Sequence, residues 1–131
     1  MPSQCPRCEG PRFTVEVPAE LTTYTDGSAL DCCPRCLSVA PVDSAIIDPE
    51  PSFETVIRRF PTGTEGVALF LLLDKLDSLA LNRSEIESLV DRLESNGVDL
   101  FLTLDRLLDA PDIQPSYDLA RRRDQLEALL D

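Results

Sequence analysis

The spacing of apolar residues along this chain changes near Thr64, from alternation to a helical repeat. Phe13-Thr14-Val15-Glu16-Val17 is apolar at 13, 15 and 17, the two-residue period of a strand. Leu21 to Thr25 reads as a second strand, and Asp26-Gly27 as a turn. Leu37 to Val42 reads as a third strand, interrupted by Pro41. Pro49, Pro51, Pro61 and Gly63 then punctuate a connector over 48–63. A short helix fits between these prolines, from Ser52 to Phe60, with Phe53, Val56, Ile57 and Phe60 on one face.

From Thr64 the repeat is three to four residues. The first helix is expected to run to about Ala80, with Leu69, Leu72, Leu73, Leu76 and Leu79 inward. Thr62-Gly63-Thr64-Glu65 fits a capping box at its start, and its apolar first turns suggest a central, well-buried helix. Asn82-Arg83-Ser84-Glu85 fits a second capping box. It opens a helix carrying Ile86, Leu89, Val90 and Leu93, which Asn96-Gly97 should close. A third helix is expected over Asp99 to Ala110, with Leu100, Leu104, Leu107 and Leu108 and with Pro111 after it. Ser116 is the expected cap of a fourth, which ends in Leu126, Leu129 and Leu130.

Composition adds a difficulty for the N-terminal part. The chain has 131 residues, of which 43% are hydrophobic, room for one domain or two small ones that share a surface. Most leucines fall after Ala68, so the first 45 residues are short of large apolar groups and need another source of stability.

The cysteines offer that source. Cys5-Pro6-Arg7-Cys8 recurs as Cys33-Pro34-Arg35-Cys36. Two residues between cysteines let both thiolates approach one ion from a single tight turn. Proline at the second position presets φ for that turn. Backbone N–H groups in the turn can point at sulfur and steady its charge. Two such turns make a four-sulfur site, with Cys5, Cys8, Cys33 and Cys36 as ligands of one structural zinc ion. The intervening 24 residues leave room for β-structure. Iron is the rival metal, because rubredoxins use similar paired turns. Those sites are surrounded by aromatics, whereas this region has only Phe13 and Tyr24 and the chain has no tryptophan, so zinc is preferred.

Three side readings accompany the site. Four thiolates around a divalent ion leave a formal charge of −2, which Arg7 and Arg35 could offset; the alternative is that their position in the turn is simply exposed. Cys32, next to Cys33, reads as a small half-buried filler, with a reactive thiol as the alternative. Matching to the first Cys-Pro-Arg-Cys makes Cys33 the ligand.

These features together resemble the zinc-ribbon class. The fuller pattern, with Val17-Pro18-Ala19-Glu20-Leu21 between the cysteine pairs and Cys36-Leu37 followed by Pro41, resembles a family of small haloarchaeal proteins. The resemblance covers about residues 3–45 and implies a zinc ribbon without an activity. One departure is that Glu9 and Leu37 directly follow the second cysteines, where such knuckles often have glycine.

The expected fold is therefore α+β. A small β-rich zinc ribbon (1–47) and the connector (48–63) precede an α-helical domain of about four helices (64–131).

Charge narrows the function classes. There are 24 acidic and 12 basic residues, net −12, with a pI near 4.3. Lys75 is the single lysine. This looks like a halophilic proteome, whose surface carboxylates hold water when salt screens their repulsion; an acidic face for a basic partner is the alternative. Bulk electrostatic binding of nucleic acid is disfavoured. Arg58-Arg59 and Arg121-Arg122-Arg123 are the local exceptions, read as partners of acids such as Asp118 and Asp124 or else as phosphate contacts.

No histidine is present, which removes the commonest general base. A four-cysteine site has no open position for substrate, and no phosphate loop is found. The N-terminus carries no charged-then-apolar run and the longest apolar run is Val67 to Leu73. The expectation is a cytoplasmic, non-enzymatic module without membrane contact. It would bind a protein partner or self-associate through its helices, with a nucleic-acid or ribosome-associated role as the alternative.

Overall fold

The computed structural model describes residues 12–43, 47 and 53–130. Its architecture is α+β: a three-stranded antiparallel sheet followed by four helices. Strands β1 (Phe13–Glu16), β2 (Ala29–Cys32) and β3 (Val39–Val42) lie in the order β1-β2-β3. Phe13 pairs with Cys32 and Val15 with Leu30; across the other ladder Cys32 pairs with Val39 and Leu30 with Pro41. Antiparallel partners share a face, so Phe13, Val15, Leu30 and Cys32 form the buried side. Pro41 is tolerated because β3 is an edge strand, where a missing N–H need not break a ladder.

Two expectations for this region are corrected. Leu21 to Thr25 does not form a strand; Ala19–Tyr24 is a 3-10 helix. Pro18 starts it with φ −61°, and its carbonyl accepts from Leu21 N–H at 2.9 Å. This turn puts Leu21 fully in the core, which outweighs the strand preference of the threonines. The central strand β2 was not anticipated. Ala29, Leu30 and Cys32 are all buried and only Asp31 is partly exposed, so this four-residue segment is too short and too buried to show the period of a half-exposed strand.

Helix α1 (Gly63–Leu76) is the centre of the molecule. Every residue from Gly66 to Leu73 is buried, together with Leu76. Helices α2 (Arg83–Ser95), α3 (Leu100–Asp109) and α4 (Leu119–Leu130) follow. Between the sheet and α1, Phe53–Thr55 forms a short 3-10 turn, and Phe53, Val56 and Phe60 are buried.

Sheet and helices share one hydrophobic core. Phe13 of β1 meets Phe53 edge-on at 5.4 Å and Phe70 of α1 at 5.8 Å, measured between ring centroids. Phe60 lies 5.0 Å from Phe70. Such aromatic contacts add about 0.5–1.5 kcal/mol each beyond area burial. The leucine-poor sheet thus draws apolar cover from α1 and the connector. Gly66 makes this approach possible, since a Cβ there would fall 2.7 Å from Phe53 Cε1 and 2.5 Å from the Pro61 carbonyl.

The helix ends depart from the expected boxes. Thr62 makes no side-chain cap bond, and Glu65 turns instead to Arg92 of α2, at 3.3 Å. Asn82 donates backward to the Ser78 carbonyl at 3.1 Å, while Glu85 pairs with Lys75 at 2.5 Å. In both places a carboxylate gains a cation on another helix, which outcompetes an N–H on its own. Helix α1 stops at Leu76, short of Ala80. Leu108 points outward, and Asp118 rather than Ser116 caps α4, accepting from Arg121 N–H at 3.1 Å.

Other ends follow the sequence. Asp99 caps α3 by accepting from Leu102 N–H at 3.2 Å. Helix α2 closes in a Schellman motif: Gly97 has φ +86°, its N–H reaches Glu94 O, and Val98 N–H reaches Leu93 O at 2.9 Å. Among the described residues no helix is long and apolar enough to cross a membrane.

Candidate metal centre

Of the four expected ligands, Cys33 and Cys36 fall within the described residues; Cys5 and Cys8, with Arg7 between them, lie outside. Among the described residues no group of three or more potential ligands gathers around one point.

The turn after β2 is shaped by its backbone. Cys33 N–H donates to Ser38 O at 3.0 Å, and Leu37 N–H donates to Cys33 O at 3.0 Å. These bonds fold Pro34 and Arg35 outward and bring the Cys36 N–H to 3.4 Å from Cys33 Sγ. An amide aimed at sulfur favours the thiolate, the form that binds metal. Cys33 and Cys36 are both buried and pack together, apart from the main core. Donor type, spacing and N–H···S contact all suit a soft, thiolate-bound ion.

Leu37 completes the turn in the left-handed region, with φ +64°. A side chain there costs roughly 1–2 kcal/mol relative to the right-handed form. Burial of Leu37, 2% exposed, offsets that cost. The glycine that such turns often carry is replaced by a residue that anchors the turn in the core.

Sulfur contacts continue past the turn. Cys36 Sγ lies 3.1 Å from Ser38 Oγ. Ser38 Oγ accepts from Arg12 Nη2 at 3.4 Å. Arg12 is half-buried just before β1, and its Nε is buried without a hydrogen-bond partner. A cavity of about 240 Å³ opens beside it, lined also by Ser38, Asp74, Asp77 and Tyr117. Sequence reading missed Arg12 and Ser38. Ser38, two residues after the expected ligand Cys36, was the available signal; Arg12 is 26 positions away and gave none.

Arg35 projects to solvent, and Gln114 N–H donates to its carbonyl at 2.8 Å. Cys32 is fully buried in the main core rather than half-buried. Burial pushes its thiol well above the ordinary range, Asp31 adds to this, and Arg12 opposes it. That environment suits a packed neutral thiol better than a reactive one.

The arginine triplet is largely engaged. Arg123 pairs with Asp105 at 3.0 Å and with Asp124 and Glu127 at 3.3 Å, and lies over the Phe101 ring at 5.1 Å. Arg122 donates to Asp77 O at 3.0 Å and to Gln125 at 2.9 Å. The Arg121 side chain is exposed, as are Arg58 and Arg59.

Comparison with known families places this geometry in context. A family model covers residues 4–130, nearly the whole chain, and the chain belongs to that family, DUF6276, a family of unknown function. No curated protein and no solved structure matches it.

Proposed function

We propose that this member of DUF6276 is a non-enzymatic module built around one structural zinc ion, held by Cys5, Cys8, Cys33 and Cys36, and that it works through protein–protein contacts. The observation that carries the metal reading is the Cys33–Cys36 turn, with its N–H···S contact and two buried sulfurs. Zinc in such a site cross-links the chain and supplies folding free energy. Exposed leucines support the contact role: Leu81, 86% exposed, follows α1, and Leu102, Leu108 and Leu130 lie on α3 and α4.

Protein purified in high salt and assayed for metal tests the first half. About one zinc per chain and no colour is the expected result; a red, iron-loaded protein or a metal-free one rejects it. Mass measurement and affinity capture in the same buffer test the second half. A strictly monomeric protein that captures nothing speaks against it.

A nucleic-acid role has one observation in its favour: Arg58 and Arg59 are adjacent and exposed. The engaged Arg122 and Arg123 weigh against it. Unchanged RNA and DNA binding after charge reversal at 58 and 59, or no binding at all, removes this reading.

A further inference from the structure

The four-thiolate reading leaves a charge to be balanced. Arg35 sits inside the turn but projects to solvent, where its charge is screened. Arg12 is distant in sequence and half-buried, and it reaches the site through one hydroxyl.

The donor order follows from chemistry. A guanidinium can only donate, so Ser38 Oγ accepts from Arg12. With Cys36 as a metal-bound thiolate, which can only accept, the Ser38 hydroxyl donates to its Sγ, 3.1 Å away. Arg12 polarises that hydroxyl and strengthens its bond to sulfur. The register holds the parts in place: Phe13, after Arg12, pairs with Cys32, next to the turn. Among the described residues Arg12 forms no ion pair, although Asp74 and Asp77 line the same cavity.

We propose that Arg12, acting through Ser38, is a cation that stabilises the metal-bound thiolate of Cys36. This rests on the four-cysteine reading above. Arg12 is a positioning residue and touches no metal. It retains the ion by offsetting the negative charge that four thiolates concentrate.

Wild type, Arg12→Gln, Arg12→Lys and Ser38→Ala are loaded with zinc(II) and challenged with a competing chelator at fixed pH and salt. Arg12→Gln and Ser38→Ala are expected to bind zinc about 10–100-fold more weakly, with Arg12→Lys between them and wild type. Cobalt(II) replaces zinc for a second readout. The thiolate-to-cobalt charge-transfer band should move to lower energy in Arg12→Gln and Ser38→Ala, a change that loss of packing alone would not cause. Wild-type affinity and an unshifted band in these two variants overturn the proposal. Should Arg12→Gln fail to fold, Ser38→Ala decides by the same measures. A wild type that takes up neither metal rejects the four-cysteine reading itself, an outcome distinct from metal binding that ignores Arg12.

Discussion

The amide of Cys36 points at the sulfur of Cys33 across 3.4 Å, inside a turn whose ends are tied by bonds from Cys33 to Ser38 and from Leu37 to Cys33. That contact gains most when Cys33 is a metal-bound thiolate. If the proposed zinc is bound, removing it should therefore loosen the turn and the strands on either side of it. Treatment with a strong chelator is expected to lower the thermal midpoint of wild type. Cys33→Ser and Cys36→Ser should match the chelated protein in midpoint and zinc content, and respond no further to chelator. Calorimetry with metal analysis checks this.

Leu37 sits at φ +64° with its side chain in the core. Two effects oppose each other at this position. Truncation to alanine removes a buried leucine, at about 2–5 kcal/mol, and retains the backbone strain. Truncation to glycine removes the same side chain and relieves the strain. Leu37→Gly should thus be more stable than Leu37→Ala by about 1 kcal/mol, the reverse of the order within a helix or strand. Urea denaturation of both variants decides; equal midpoints would mean that the left-handed conformation costs nothing.

Cys32 stands one residue from a proposed ligand and is fully buried in another cluster. Cys32→Ser places a hydroxyl in apolar surroundings, at a cost of about 1–3 kcal/mol. Zinc content should stay at the wild-type value while the urea midpoint falls. Native protein should also resist alkylation at Cys32, because burial keeps the thiol protonated. Loss of zinc in this variant but not in Cys33→Ser would reverse the ligand assignment.

What could be read from sequence depended on whether one residue or two distant ones carried the signal. Gly97 alone announces the end of α2, and the leucines of α2 and of most of α3 repeat on one face, so these elements follow from local pattern. Strand β2 does not, because four residues with buried side chains on both faces and a single polar position, Asp31, are too few to reveal a period. The capping boxes failed for a related reason. Glu65 and Glu85 have the right spacing, but Arg92 and Lys75 compete for them from other helices. The Cys33–Cys36 turn follows from its two-residue spacing and Pro34, which are local features. The contact of Arg12 with Ser38 does not, because only the pairing of β1 with β2 brings them together.

Gly66 lies in the first turns of α1, where alanine would ordinarily be better by about 1 kcal/mol. Here a Cβ would come within 2.5 Å of Pro61 O and 2.7 Å of Phe53 Cε1. The carbonyl belongs to the backbone and the ring is held against Phe13 and Phe60, so neither yields easily. Gly66→Ala should destabilise by about 1–3 kcal/mol and alter the near-ultraviolet circular dichroism of the phenylalanine cluster. A stabilising effect would show that the connector can move away from α1.

Asp74 offers the opposite case, a wild-type residue that opposes folding at neutral pH. Burial raises its carboxyl above the ordinary 3.8, Lys75 partly counters this, and Asp77 adds to it. The group also sits near the C-terminus of α1, where the helix dipole disfavours negative charge. A folded-state pKa above the unfolded one gives a contribution that is fully present below pH 3.8 and is lost as the pH rises through the folded value. Ionised Asp74 therefore destabilises the fold at pH 7. Asp74→Asn removes that penalty and should raise stability by about 0.3–0.5 kcal/mol at pH 7, a small gain because the residue is exposed and its charge is screened by solvent. The gain should shrink as the pH is lowered toward and below 3.8, where the carboxyl takes up its proton. Urea midpoints of the two proteins across this range provide the check. A gain that stays constant with pH would point to packing at the cavity wall, and the charge argument would fail.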